Sequence, residues 1–220
     1  MRPINCQKII CLACNYPDHA KEMNTEEPSE PVFFLKAPSA LISDGEPIII
    51  PDGIGRVDYE AELAIIIGKS GREIPIREAR NHIHAIAAFN DVTARDLQAK
   101  AKQKGLPWTL CKGFDTFAPM SKPVPIAEAG DIDDMEIVLK LNGEVKQHGS
   151  TSMMIHKIDA VISYISKFMT LERGDIIATG TPSGIGPMKP GDFVEIQIGD
   201  HLYLKNPVIS SQSQNRLVRA

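Results

Sequence analysis

"RVDYEAELAIIIGK", residues 56–69, sets a problem that the rest of the chain has to solve. Tyr59 to Ile67 read as a strand bound for a core, because a short continuous apolar run marks a strand covered on both faces. Yet Glu60 and Glu62 lie within it. Side chains alternate along a strand, so these carboxylates share one face with Ala64 and Ile66. A buried, unpaired carboxylate is costly and normally takes up a proton instead. Two solutions are open. Either the glutamates lie on an exposed face and pair with lysines, or a hard divalent cation compensates both. Mg²⁺ takes about six oxygens, of which protein carboxylates supply a few. Asp91, at the end of a second apolar stretch "HAIAAFND" (84–91), offers a third ligand.

The flanking sequence places this strand in a sheet-rich domain. Further strands are predicted at 46–51 ("EPIIIP"), 84–91, 136–142 ("EIVLKLN"), 175–179 ("DIIAT"), 193–198 ("FVEIQI") and 201–206 ("HLYLKN"). The last two flank Gly199-Asp200, a two-residue hairpin signal. Ile158, Val161, Ile162, Ile165, Phe168 and Met169 fall at helical spacing, with Gly174 beyond them. A second helix is predicted from about Ala94 to Lys104, capped by Thr93 and stopped by Gly105. Segments 18–23 and 77–83 suit a couple of helical turns each. Strands dominate without regular alternation with helices, so the expected class is α+β, β-rich, and not a doubly wound sheet. A single domain is expected over residues 1–209, with the polar "SSQSQNRLVRA" (210–220) as a loose C-terminal tail.

Composition narrows the partners. With 43% hydrophobic and 24% charged residues, the 220-residue chain is ordinary for a globular protein, and 16 Gly with 16 Pro favour short elements over a helical bundle. A net charge of −4 and a pI near 5.9 argue against nucleic acid or an anionic membrane surface. "KAKQK" (100–104) is the one basic cluster and reads as a solvated helix face. No apolar run approaches the ~20 residues that span a bilayer. "MRPINCQKIICLAC" lacks the features of a signal peptide, so a cytoplasmic protein with reduced cysteines is expected.

Three other stretches carry possible chemistry. In "CNYPDHAKEM" (14–23), His19 and Glu22 sit three apart and face the same way on a helical turn. A carboxylate there can orient an imidazole and raise its basicity for work on water, or the two can form a plain surface pair. Cys11 and Cys14 form a C-x-x-C that, with Cys6 and His19, suggests a zinc-binding or redox module. A zinc-knuckle pattern would need a cysteine where Asn24 stands. "TGTPSGIGPMKPGD" (179–192) lacks the Gly-Lys-Ser/Thr ending of a phosphate loop; it is a structural turn, or it presents N–H groups and the Thr181 hydroxyl to an anion. The acidic "NTEEPSEP" (24–31) is a solvated loop or a cover over a site.

Taken in order, "NYPDHAKEM", "EPVFFLK", "YEAELAIIIGK", "FNDVTARDLQ", "KGLPWTLCKGFDTFAP", "LNGEVKQ", "ISYISKFMTLERGDIIATGTPSGIGP" and "GDFVEIQI" resemble the fumarylacetoacetate hydrolase family in its small single-domain branch, which includes acylpyruvases. The resemblance runs from about Cys11 to Val208. It implies packed mixed β-sheets with few helices, a homodimer, and Mg²⁺ (with Mn²⁺ or Ca²⁺ as alternatives) held by Glu60, Glu62 and Asp91. It also implies a small 2-oxo or enol carboxylate as substrate, with the metal stabilising an enolate. The pair matching His19 and Glu22 activates water in hydrolytic members. Lys112, in "CKGFD", neutralises developing negative charge, and Arg95, Gln98 and Thr181 match positions near the substrate. The resulting expectation is a Mg²⁺-dependent acylpyruvate hydrolase that cleaves a C–C bond in a 2,4-dioxo acid. Isomerisation, tautomerisation or decarboxylation of oxaloacetate or hydroxymuconate-type diacids stands as the alternative. The family often reads Gly-Arg or Gly-Leu where this chain has Ala13-Cys14, a change that touches substrate choice and not the metal.

Overall fold

Strands form most of the regular structure in the computed structural model, which describes residues 6–213. Ala61–Ile67 lies deep within the largest, eight-stranded sheet, antiparallel to Ile176–Ala178 on one side and to Ile83–Asn90 on the other. Ile9–Ala13 follows in parallel beyond Ile176–Ala178, and Val32–Lys36 forms that edge. All seven residues of Ala61–Ile67 are buried, as its continuous apolar run requires.

A second sheet runs in the order Glu144–Ser150, Glu136–Leu141, Phe193–Ile198, Leu202–Ser210 and Ile48–Ile50. Its alternating Val194, Ile196 and Ile198 point inward and join a core with Leu63 and Ile65 of the large sheet. The longest helix, α4 (Ile158–Phe168), adds Val161, Ile162 and Ile165 to that core. Asp159 in its first turn and Lys167 in its last complement the helix dipole. A third sheet pairs Gly186–Met188, Val57–Tyr59 and Thr93–Ala94. This is the β-rich mixed architecture the sequence implied. No helix among the described residues is long and apolar enough to cross a membrane.

Four local expectations need correction or limits. The strand read as continuous from Tyr59 to Ile67 breaks at Glu60, where the chain passes from the small sheet to the large one. Side-chain amides replace ladder partners at the break: Glu60 N–H donates to Asn90 Oδ1 and Ala61 N–H to Gln147 Oε1, both at 2.9 Å. Thr93 does not cap the helix α2 (Arg95–Lys104). It pairs with Asp58 in a strand, and its hydroxyl donates to the Asp91 carbonyl at 2.8 Å. Gly105 does end α2, in the left-handed region at φ 63°. The hairpin is one residue longer than expected, because Ile198 pairs with Leu202 around Gly199, Asp200 and His201. Its second strand runs on to Ser210, which the sequence placed in the tail; residues 214–220 of that tail lie outside the described residues.

Candidate active site

The break at Glu60 and the neighbouring strands bring three acids together. Ala61 pairs with Asn90 across the sheet, so Asp91 emerges beside Glu60, whose carbonyl accepts the Asp91 N–H. Carboxylate oxygens of Glu60, Glu62 and Asp91 all lie within 4.8 Å of one another. Among the described residues this is the single group of three or more such side chains able to hold a metal. Glu60 is 4% exposed and Glu62 and Asp91 are each 1% exposed, so the alternative of a solvent-facing pair is removed.

Two of the acids are heavily compensated and one is not. Lys112, at the end of α3 (Thr109–Lys112), reaches Glu60 Oε2 at 2.9 Å and Asp91 Oδ2 at 2.5 Å. Lys36 donates to the other Asp91 oxygen at 2.6 Å and to the Val92 carbonyl at 3.0 Å. Arg95 binds Glu60 Oε1, Asp58 and the Gln98 side-chain oxygen. Burial alone would raise the Glu60 carboxyl, but Lys112 and then Arg95 override it and hold Glu60 below the usual carboxylate range. Glu62 receives one donor, the Gly180 N–H at 2.9 Å on Oε2, and its buried Oε1 has no hydrogen-bond partner. Burial, then Asp91, then Glu60 push its carboxyl well above the usual range. A buried, partnerless oxygen facing two further carboxylates, with oxygen donors only, fits a hard divalent cation.

His19 sits on α1 (Pro17–Glu22), a short helix that Pro17 opens from its first position. Its Nδ1 lies 3.0 Å from Glu22 Oε2, and the imidazole is buried. With Nδ1–H donated to Glu22, Nε2 is the nitrogen left to exchange a proton. Glu22 is fixed in turn by the Gly184 N–H at 3.2 Å on its other oxygen.

The Gly-rich loop presents N–H groups to carboxylates of the protein itself. Its Gly180 and Gly184 N–H groups go to Glu62 and Glu22. Gln147, buried on the second sheet, donates to Thr181 Oγ1 and to the Pro182 carbonyl, both at 2.8 Å. The loop fastens both acids to the sheets. Gly184 has φ +96°, and a Cβ there would stand 2.3 Å from the Lys146 carbonyl oxygen, which is backbone and cannot swing aside. Gly184→Ala is expected to destabilise the fold by about 2 kcal/mol or more, read as a melting temperature lower by roughly 5 °C or more. An unchanged melt would contradict this packing.

One cavity collects the candidates. His19, Glu60, Glu62, Arg95, Gln98, Lys112 and Thr181 line it, while Asp91 stands behind Lys112 and Glu22 behind His19. Cys14 also lines it, at φ 55°, so the Ala13-Cys14 departure lies at the cavity wall. The acidic segment 24–31 is tied down at its start by the Thr25 N–H on the Ala20 carbonyl at 2.9 Å, and further on by His156 Nε2 to the Pro28 carbonyl at 2.9 Å and by Tyr164 to Glu30 at 3.2 Å. The cysteines do not gather into a metal-holding cluster among the described residues. Burial drives the Cys11 thiol well above its ordinary value and the Cys6 thiol up to about 11.

Sequence reading overlooked Lys36, Asp58, Asn90 and Gln147. Each is a buried polar residue with at least one partner far along the chain, although Asp58 is also held by the neighbouring Arg56. The available signal was a polar or charged residue next to an apolar run, as in "VFFLK" and "HAIAAFND".

Residues 8–209 match the family model described as fumarylacetoacetate (FAA) hydrolase C-terminal. The chain is 46% identical over 195 residues to the mitochondrial oxaloacetate tautomerase FAHD1 of Bos taurus, covering 89% of this chain and 87% of that one. It is 45% identical over 193 residues to the mitochondrial oxaloacetate decarboxylase of Dictyostelium discoideum, covering 87% and 88%. Among solved structures, fumarylpyruvate hydrolase from Pseudomonas aeruginosa in complex with Mn²⁺ and pyruvate superposes with a TM-score of 0.91 at 31% identity, covering 94% of this chain and 91% of that one.

Proposed function

The chain belongs to the fumarylacetoacetate hydrolase family, and on that footing we propose that it is a divalent-cation-dependent enzyme acting on a small 2-oxo acid through its enol form. Keto–enol interconversion or decarboxylation of oxaloacetate is the leading reaction in this reading. Support comes from relatives of those names at 46% and 45% identity, against 31% for the hydrolase neighbour. The observation that carries the proposal is the partnerless Glu62 oxygen, buried beside Glu60 and Asp91 in a cavity that His19 also lines.

Glu60, Glu62 and Asp91 would hold the cation, Mg²⁺ in this reading, with Mn²⁺ or Ca²⁺ as alternatives. When bound, it supplies Lewis-acid stabilisation of an enolate. Arg95, Gln98 and Thr181, which line the cavity, orient the acid by hydrogen bonds. Lys112 keeps a positive charge next to the carboxylates, because Asp91 and Glu60 more than offset the effect of its burial and raise its pKa. His19 takes the proton from the carbon next to the oxo group at Nε2, and Glu22 steadies the imidazolium that results. In the reverse direction the same nitrogen returns the proton to carbon. Assembly as a homodimer is retained as part of the proposal.

Hydrolysis of an acylpyruvate is the second reading. The His19–Glu22 contact at 3.0 Å suits activation of a water for attack on the distal carbonyl. One panel separates the readings: ketonisation of enol-oxaloacetate, oxaloacetate decarboxylation and acetylpyruvate hydrolysis, each with Mg²⁺, with Mn²⁺ and with chelator. Oxaloacetate turnover that disappears with chelator and returns with metal is expected. Rates no higher than buffer with metal across the panel would overturn the proposal.

A further inference from the structure

α2 presents Arg95, Gln98 and Lys102 at positions i, i+3 and i+7, one face of a helix, and all three line the candidate site. Arg95 contacts Glu60 directly, whereas Lys102 lies two turns further on, about 10 Å along the helix axis. The cations near the acids are already engaged: Lys112 by Glu60 and Asp91, Arg95 by Glu60 and Asp58. Lys102 takes part in no ion pair among the described residues. Its ammonium lies instead over the Trp108 ring, 5.5 Å from the centroid.

That ring belongs to a continuous aromatic wall. Trp108 packs on Phe34 with centroids 5.3 Å apart, and the Lys112 ammonium lies 4.8 Å from the Phe34 centroid. Both rings line the cavity. The wall thus has an ammonium at each end, one inside among the acids and one outside at the mouth. An acid whose oxo end sits at Glu60, Glu62 and Asp91 lays its carbon chain along Phe34 and Trp108. A charged group on its far end then meets Lys102.

We infer that Lys102 is a specificity-determining residue that binds the distal carboxylate of a dicarboxylic 2-oxo acid and so favours diacids over monoacids of equal length. "KAKQK" is therefore a solvated helix face in part only: Lys100 and Lys104 are exposed without lining the cavity, and Lys102 is exposed at its mouth. The inference rests on the oxo-acid reading above for the orientation of the ligand, and its test is a binding measurement that requires no turnover.

The Mn²⁺-loaded protein is titrated calorimetrically with 2-oxoglutarate and with 2-oxopentanoate, which differ in carrying a carboxylate or a methyl group at the far end. Wild type is expected to prefer the diacid by about tenfold or more. Lys102→Met should abolish that preference while leaving the monoacid affinity within about twofold, and Lys102→Arg should restore most of it. Equal affinities in wild type, no measurable binding of either acid, or a preference that survives in Lys102→Met would overturn the inference. Failure of the oxo-acid turnover panel with the diacid preference intact would reject the proposed reaction and keep the role of Lys102.

Discussion

Glu62→Gln is expected to weaken Mn²⁺ binding by more than about 100-fold, since changes one shell further out already cost 10–100-fold in metal affinity. Turnover of every oxo acid should fall by on the order of 10²–10³ or more, the scale set by deleting one group that stabilises a developing oxyanion. The fold should not suffer. Glu62 is the acid with a partnerless oxygen, and a neutral amide there can donate to Asp91 or Glu60 in place of repelling them. The melting temperature measured in chelator should therefore be unchanged or higher. Calorimetric Mn²⁺ titration together with a thermal melt checks both signs; loss of stability alongside loss of binding would mean that Glu62 is a structural carboxylate.

His19→Ala should have an effect of comparable size, and a selective one. Proton transfer at carbon and delivery of water both need a positioned base, which contributes about 10²–10⁴-fold. Tautomerisation and acylpyruvate hydrolysis should fall by a factor in that range. Decarboxylation of a bound 2-oxo acid needs an electron sink more than a base, so it should be largely spared. Glu22→Gln should act in the same direction more mildly, because an amide still accepts from Nδ1–H but cannot stabilise the imidazolium by charge. The comparison requires kcat/KM for all three reactions at matched Mn²⁺ occupancy. Equal loss in all three would place His19 in substrate binding instead.

The parts of this site that follow local rules were readable in the sequence. The apolar run placed Glu62 in a buried strand, helical spacing put His19 beside Glu22, and apolar periodicity marked α4 and most strands of the second sheet. What hid were non-local contacts. Lys36 finds Asp91 across 55 residues, Gln147 finds Ala61 across 86, and no local pattern encodes either meeting. The break at Glu60 was hidden for the same reason, since Asn90 and Gln147 cause it from other strands. Glu144–Ser150 escaped strand assignment because its sequence, "EVKQHGS", is polar almost throughout, with Gln147 as its one fully buried side chain. Thr93 carried a helix-cap signal that strand pairing with Asp58 overrode. Electrostatics were half legible: the two glutamates posed the question, but the answer depends on Lys112 and Arg95 compensating Glu60 while Glu62 is left without a counter-charge in contact.

Anomalous diffraction from crystals grown with Mn²⁺ and oxalate decides whether the acids form a cation site. The expected result is a single manganese peak per chain, with oxygens of Glu60, Glu62 and Asp91 at direct-ligand distance, about 2.0–2.6 Å, and the oxalate between that peak and His19. Manganese bound elsewhere, or a Glu62 carboxylate outside ligand distance of the metal, would contradict it.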